Sequence, residues 1–177
     1  MRPSAQPSPV HLGLYTPEQQ LRRDRSKWTL VQGFLAPLQF LVFLISLALV
    51  LRCLATGQGQ SLALGSVVLK TLLLYLIMVT GCIWEKVVFG QYLFAPAFFW
   101  EDVVSMLVLA LHTAYLAAWW TASLAVNQQL WLAVAAYAAY CVNATQFVLK
   151  LRAARLQARA CSRPPKAGAH FASPLSP

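Results

Sequence analysis

Three of the chain's five acidic residues stand close together, although the 177-residue sequence carries fourteen Lys and Arg. Glu85 ends one apolar run, Glu101 and Asp102 open another, and the stretch WEKVVFGQYLFAPAFFWED joins them. Carboxyl groups at the edge of a low-dielectric region suit proton transfer, because desolvation favours the neutral, proton-donating form. On a helix turning ~100° per residue, adjacent Glu101 and Asp102 diverge, so they cannot form a facing pair. A facing partner has to come from Glu85. Glu101 and His112, eleven positions apart, point within about 20° of each other and lie ~16 Å apart along the axis. Ser105, Tyr115 and Trp119 fall near the same line, making one polar stripe. On the last apolar run Asn143, Gln146 and Lys150 share a face at i, i+3 and i+7, and are candidates to meet that stripe.

Each of these residues has a plainer reading. Acids at a helix start complement its dipole. Glu85 can pair with Lys86 or Lys70, His112 can be a hydrogen-bonded interior histidine, and Asn143 and Gln146 can hold helices together. Ionisable groups within apolar spans are nevertheless costly and are functional candidates by default.

The elements that must position these groups are membrane helices. The chain is 59% hydrophobic and 11% charged, against about 25% charged in soluble domains. Residues 28–51 hold no charge, 62–83 hold only Lys70, and 103–149 hold none. A span needs roughly 20 residues, so the last run divides, and the polar residues Val126-Asn127-Gln128-Gln129 are the expected turn. The sequence therefore predicts an all-α membrane bundle of four spans, at 28–51, 62–83, 103–120 and 130–149. Lys and Arg concentrate before the first span and after the fourth, which places both termini on the cytoplasmic side. The net charge of +9 then meets anionic lipid, and no nucleic-acid partner is expected. No signal peptide is expected either, because the basic start is not followed by an apolar core.

Residues 1–14 read as a disordered tail, and 158–177 as another, leaving 15–157 as the folded domain. Thr16-Pro17-Glu18-Gln19 predicts a capped helix start, and the basic helix it opens, through Leu21 and Trp28, is expected to lie on the membrane surface. Pro37 predicts a kink, and Gly57-Gln58-Gly59 an outer turn. Cys53, Cys82, Cys141 and Cys161 show no metal-site or redox spacing. The connection between spans two and three holds Phe89, Tyr92, Phe94, Phe98 and Phe99 between Trp84 and Trp100. Such rings form interfacial belts, or the wall of a pocket for a large flat ligand.

The segments LYTPEQ (14–19), WTLVQGFLAPLQFLVFL (28–44), KTLLLYLIMVTGCIWEKVVFGQYLFAPAFFWEDVVSMLVLALHTAYL (70–116) and QFVLKLRAARLQ (146–157) together resemble the 3-vinyl bacteriochlorophyllide hydratases, 2-vinyl in older ring numbering. The resemblance covers residues 14–157. It implies addition of water to the vinyl group of a chlorophyllide or bacteriochlorophyllide, giving the 1-hydroxyethyl form during bacteriochlorophyll a synthesis. It implies no cofactor, the pigment and membrane lipid as partners, contact with other pigment-synthesis enzymes, and the cytoplasmic or intracytoplasmic photosynthetic membrane of a phototrophic bacterium. For that chemistry Glu101 is the expected proton donor, with Asp102 or Glu85 as base or water-orienting group. His112, Tyr115, Trp100, Phe99, Lys86, Lys150, Asn143 and Gln146 are the expected substrate contacts, His112 toward the substrate's magnesium or in proton transfer, and the lysines toward its propionate. No metal of the protein's own is expected. The competing expectation is a non-enzymatic pigment-binding or assembly protein that uses His112 as magnesium ligand. A small transporter is the third class, weakened by the lack of an inverted repeat.

Overall fold

The computed structural model describes residues 14–161, and side chains through residue 156. The two expected tails fall outside the described residues, apart from Leu14 and the helical backbone of 158–161, and so does the side chain of Cys161. Five helices follow one another: α1 (Pro17–Arg25), α2 (Lys27–Thr56), α3 (Gln60–Phe89), α4 (Phe99–Thr121) and α5 (Val126–Cys161). Each boundary has a local cause. Thr16 and Gln19 form the reciprocal capping box that starts α1. Ser26 then accepts from the Trp28 amide and begins α2, so Trp28 belongs to α2 rather than to the basic helix. Gly57 and Gly59 adopt φ of +69° and +77°, a backbone state that favours glycine, and let α2 turn directly into α3. The α2 helix runs through Pro37.

The expected turn at Val126–Gln129 is instead the first turn of α5. The chain reverses one step earlier, where Ala122 takes φ +49° and the Gln128 side chain accepts from the Ala125 amide. Asn127, Gln128 and Gln129 look like loop residues because they also serve well at helix starts. The side chain of Gln129 is buried.

Four helices, α2 to α5, are long and apolar enough to cross a membrane. Thirty residues of α2 or α3 extend ~45 Å, beyond the ~30 Å of hydrocarbon, so these helices run past the spans expected from charge-free runs. The outward faces carry Leu30, Phe34, Leu41, Leu62, Leu72 and Trp120, as a lipid-facing surface would. The bundle consists of two close hairpins, α2 with α3 and α4 with α5, joined more loosely through α2–α5 and α3–α4, with α1 laid on α3. Inside, Ala63, Ala133 and Ala136 are fully buried and permit close helix approach. Phe43 packs against Tyr137 and Tyr140 at centroid distances of 5.3 and 4.9 Å. Ser46 Oγ lies 2.6 Å from both Ser66 Oγ and Tyr137 Oη, tying α2 to α3 and α5.

Candidate active site

The end of α3, the connection, and the start of α4 converge on two carboxyl groups. Gly90 at φ +88° stops α3, and Phe94 at φ +59° turns the chain back toward α4. Phe94 is held in this unfavourable left-handed state by its own amide, which donates to Asp102 Oδ2 at 2.7 Å. The neighbouring Ala95 backbone lies close to the Glu85 side chain. The loop backbone thus holds Asp102 of α4, and Glu85 of α3 lies within hydrogen-bonding reach of it. Both side chains are buried, and Glu85 Oε2 has no hydrogen-bond partner among the described residues. Glu85 is therefore the facing partner that helical geometry requires, and its neighbours are neither Lys86 nor Lys70. Lys86 turns to the Gly90 carbonyl and the Tyr92 ring. Lys70 lies fifteen positions up the helix, ~22 Å away.

Glu101 diverges from Asp102 as expected and points to α5, where its Oε2 accepts from Lys150 Nζ at 2.6 Å. This ion pair is partly buried. Lys150 also lies over the Phe98 ring, 5.0 Å from its centroid. One level deeper Asn143 Nδ2 donates to Ser105 Oγ at 2.9 Å. Asn143 and Lys150 of α5 do meet the α4 stripe, and Ser105, His112 and Tyr115 on that stripe are buried. Trp119 is not: at 39% exposed it stands outside the interior, two residues before α4 ends.

An aromatic cap closes this end. Phe98, almost fully buried, is surrounded by Tyr15, Trp84, Phe89 and Phe147 at 5.7 to 6.3 Å. Tyr15 also stacks on Phe89 at 5.8 Å, with the Arg23 guanidinium 4.7 Å from its ring. Burial pushes the Tyr15 phenol above its ordinary value, so it stays protonated at neutral pH. Trp84 Nε1 donates to Thr29 Oγ1 at 3.0 Å, fixing α3 to the start of α2. Tyr15 and Phe147 are parts of the site that sequence reasoning does not single out; Tyr15 lies in the quoted LYTPEQ segment, but nothing local says which rings it touches. Truncating Phe98 removes the centre of this cluster. By core precedent Phe98→Ala costs about 3–5 kcal/mol, which thermal unfolding in detergent will show as a lowered Tm.

The remaining expected contacts lie elsewhere. Phe99 and Trp100 are 43% and 69% exposed and face outward, where a flat ligand could lie only against the bundle's rim. Tyr115 is buried near the opposite end, its hydroxyl donating to the Leu64 carbonyl at 3.1 Å. His112, ~15 Å from Asp102 along α4, has no exposure. Its Nδ1 is 2.8 Å from the Val108 carbonyl, and its ring packs beside Tyr137. A cleft of about 400 Å³ opens at the far end, lined by Cys53, Gly57, Gln60 and Asn127 among others. It contains none of the carboxylates and does not coincide with the chemistry. No cluster of His, Cys, Asp or Glu able to hold a metal occurs among the described residues.

Two buried carboxyl groups thus lie under an aromatic cap at one end of four membrane-capable helices. The profile of the 2-vinyl bacteriochlorophyllide hydratase family matches residues 15–153. The chain belongs to that family. The 2-vinyl bacteriochlorophyllide hydratase of Cereibacter sphaeroides is 62% identical over 160 residues, covering 90% of this chain and 99% of the relative. The protein of the same name from Rhodobacter capsulatus is also 62% identical, over 156 residues, covering 88% of this chain and 91% of the relative. No solved structure matches the chain significantly. Family membership places the carboxyl pair in a chain of hydratase ancestry, where a proton donor and a base are the groups to look for.

Proposed function

We propose that this chain hydrates the 3-vinyl group of a bacteriochlorophyllide or chlorophyllide, with the Glu85–Asp102 pair as its acid and base. The observation that carries the residue assignment is the close approach of those two buried carboxyls, with Asp102 fixed by the Phe94 amide. Two carboxyl groups this close cannot both be ionised without strong repulsion, so they hold one proton between them. Glu101, the donor expected from sequence, is occupied by Lys150. It serves better as a fixed charge that secures α5 to α4.

The reaction balances with one water. The shared proton adds to the terminal vinyl carbon, the π bond supplies the electron pair, and a cation forms on the carbon attached to the macrocycle. Conjugation spreads that charge. Water then forms the carbon–oxygen bond and returns a proton to the carboxyl pair, restoring it. A placed acid or base of this kind contributes typically 10²–10⁴ in rate.

The pigment enters from the membrane, at the seam between α3 and α4 beside the aromatic connection. Exposed Lys86 is the cation best placed for its propionate. Both termini face the cytoplasm, and basic α1 lies in the interface, bringing Tyr15 onto the cap. The site is then on the cytoplasmic face of a photosynthetic membrane, where enzymes that make and use the pigment can reach it. His112 is not the magnesium ligand in this reading, since a macrocycle reaching Nε2 would have to part α4 from Tyr137. Accordingly His112→Ala should bind pigment with unchanged affinity in a spectral titration. A large loss of binding would restore the ligand role and favour a pigment-binding protein.

Membranes containing the chain, given a 3-vinyl bacteriochlorophyllide, should yield a product one water heavier, with its red absorption band at shorter wavelength. Recovery of unchanged pigment from membranes that bind it would overturn the hydratase reading.

A further inference from the structure

Beyond the carboxyl pair, the bundle interior holds polar atoms that the reaction scheme leaves unused. Lys70 and His112 have no exposure, and neither Lys70 Nζ nor His112 Nε2 has a hydrogen-bond partner among the described residues. Both lean on the same strip of α5. Lys70 Nζ is 3.8 Å from the centroid of Tyr140, and the His112 ring is 5.9 Å from that of Tyr137, one helical turn away. Toward the carboxyl pair, Asn143 Oδ1, Gln146 Oε1 and Glu85 Oε2 are likewise buried and unpartnered. Buried polar groups are almost always satisfied, and ordered water commonly does so.

The donor set selects the ligand. A backbone carbonyl only accepts, so His112 Nδ1 carries the hydrogen given to Val108, and in the neutral ring Nε2 is a bare acceptor. Lys70 offers donors. A species that satisfies both must accept from one and donate to the other, which water does and a halide cannot. Asn143 Oδ1 and Gln146 Oε1 add acceptors in the same direction.

We infer that Lys70 Nζ and His112 Nε2 bind ordered water, which continues past Asn143 and Gln146 to Glu85. This water chain gives the reaction's second substrate a route that does not cross the pigment. That role, though not the water site itself, rests on the hydratase reading above.

Radiolytic hydroxyl labelling of the full chain in membranes tests it, since buried side chains are oxidised where bound water adjoins them. Tyr137 and Tyr140, nearly inaccessible to bulk solvent, should be labelled in the wild type. They should lose the label in Lys70→Met/His112→Leu, while exposed Trp120 and Tyr92 keep theirs. Should that variant fail to accumulate, His112→Phe should lose the label and Lys70→Gln, which retains a donor, should keep it. Unlabelled wild-type Tyr137 and Tyr140 overturn the water site. So does labelling indifferent to the variants, or labelling suppressed by raising chloride, which would reveal an anion. Hydration assayed on the same samples separates the two readings: a dry interior with intact hydration sinks only the water chain, and a wet interior without hydration sinks only the function.

Discussion

Asp102→Asn lowers vinyl hydration by about 10²–10⁴ while pigment binding persists, and Glu85→Gln does the same. Both substitutions suit the test because they preserve shape. In the Asp102→Asn variant the side-chain carbonyl can still accept from the Phe94 amide, which donates to the native carboxylate at 2.7 Å, so the left-handed turn at Phe94 is retained. What is lost is the proton shared between two carboxyls; the new amide donates to Glu85 and cannot release a proton to carbon. Initial rates of product formation, measured with a parallel spectral titration, separate this from failure to bind. A variant with near-wild-type turnover would remove its residue from the chemistry.

The second large effect concerns Glu101 and Lys150. Lys150→Met leaves the Glu101 carboxylate without its partner in a partly buried position, and Glu101→Gln strands the ammonium. Breaking a fully buried pair costs about 3–5 kcal/mol. The loss here falls toward the low end, because the Lys150 side chain keeps 23% exposure and is partly solvated. Each single variant should therefore show a lower Tm and poorer accumulation, with activity falling alongside. The double variant Glu101→Gln/Lys150→Met removes both charges and should recover much of the stability and most of the turnover. Were Glu101 the proton donor, the double variant would instead be stable and inactive. The contrast separates an anchoring ion pair from an acid without any assumption about the pigment's pose.

The distinction between these two acids is only half legible in the sequence. Helical phase alone separates Glu101 from Asp102, because one residue is ~100° of rotation, but does not say which of them faces α3. Which of them is free depends on Lys150, 49 positions away, and on the Phe94 amide, which meets Asp102 only once the chain has turned at Gly90 and Phe94. No side-chain pattern encodes a backbone amide as ligand. The spans are plainly legible because long charge-free runs have few other uses. Their ends are not: α2 and α3 continue through the interface with polar residues such as Gln60 and Lys86, which helices tolerate well. The turn before α5 is misplaced for a related reason, since Asn127 and Gln128 suit a loop and a helix start equally. Trp119 shows the limit of counting phase: it shares the stripe's rotation but stands exposed near the end of α4.

Infrared difference spectroscopy of the protein in membranes tests the shared proton most directly. The wild type should show a protonated-carboxyl stretch that shifts in D2O and is altered by pigment binding. That band should be lost or shifted in both Glu85→Gln and Asp102→Asn, and unmoved in Glu101→Gln/Lys150→Met. A band untouched by either substitution at the pair, but abolished with Glu101, would contradict the account and return the proton to Glu101.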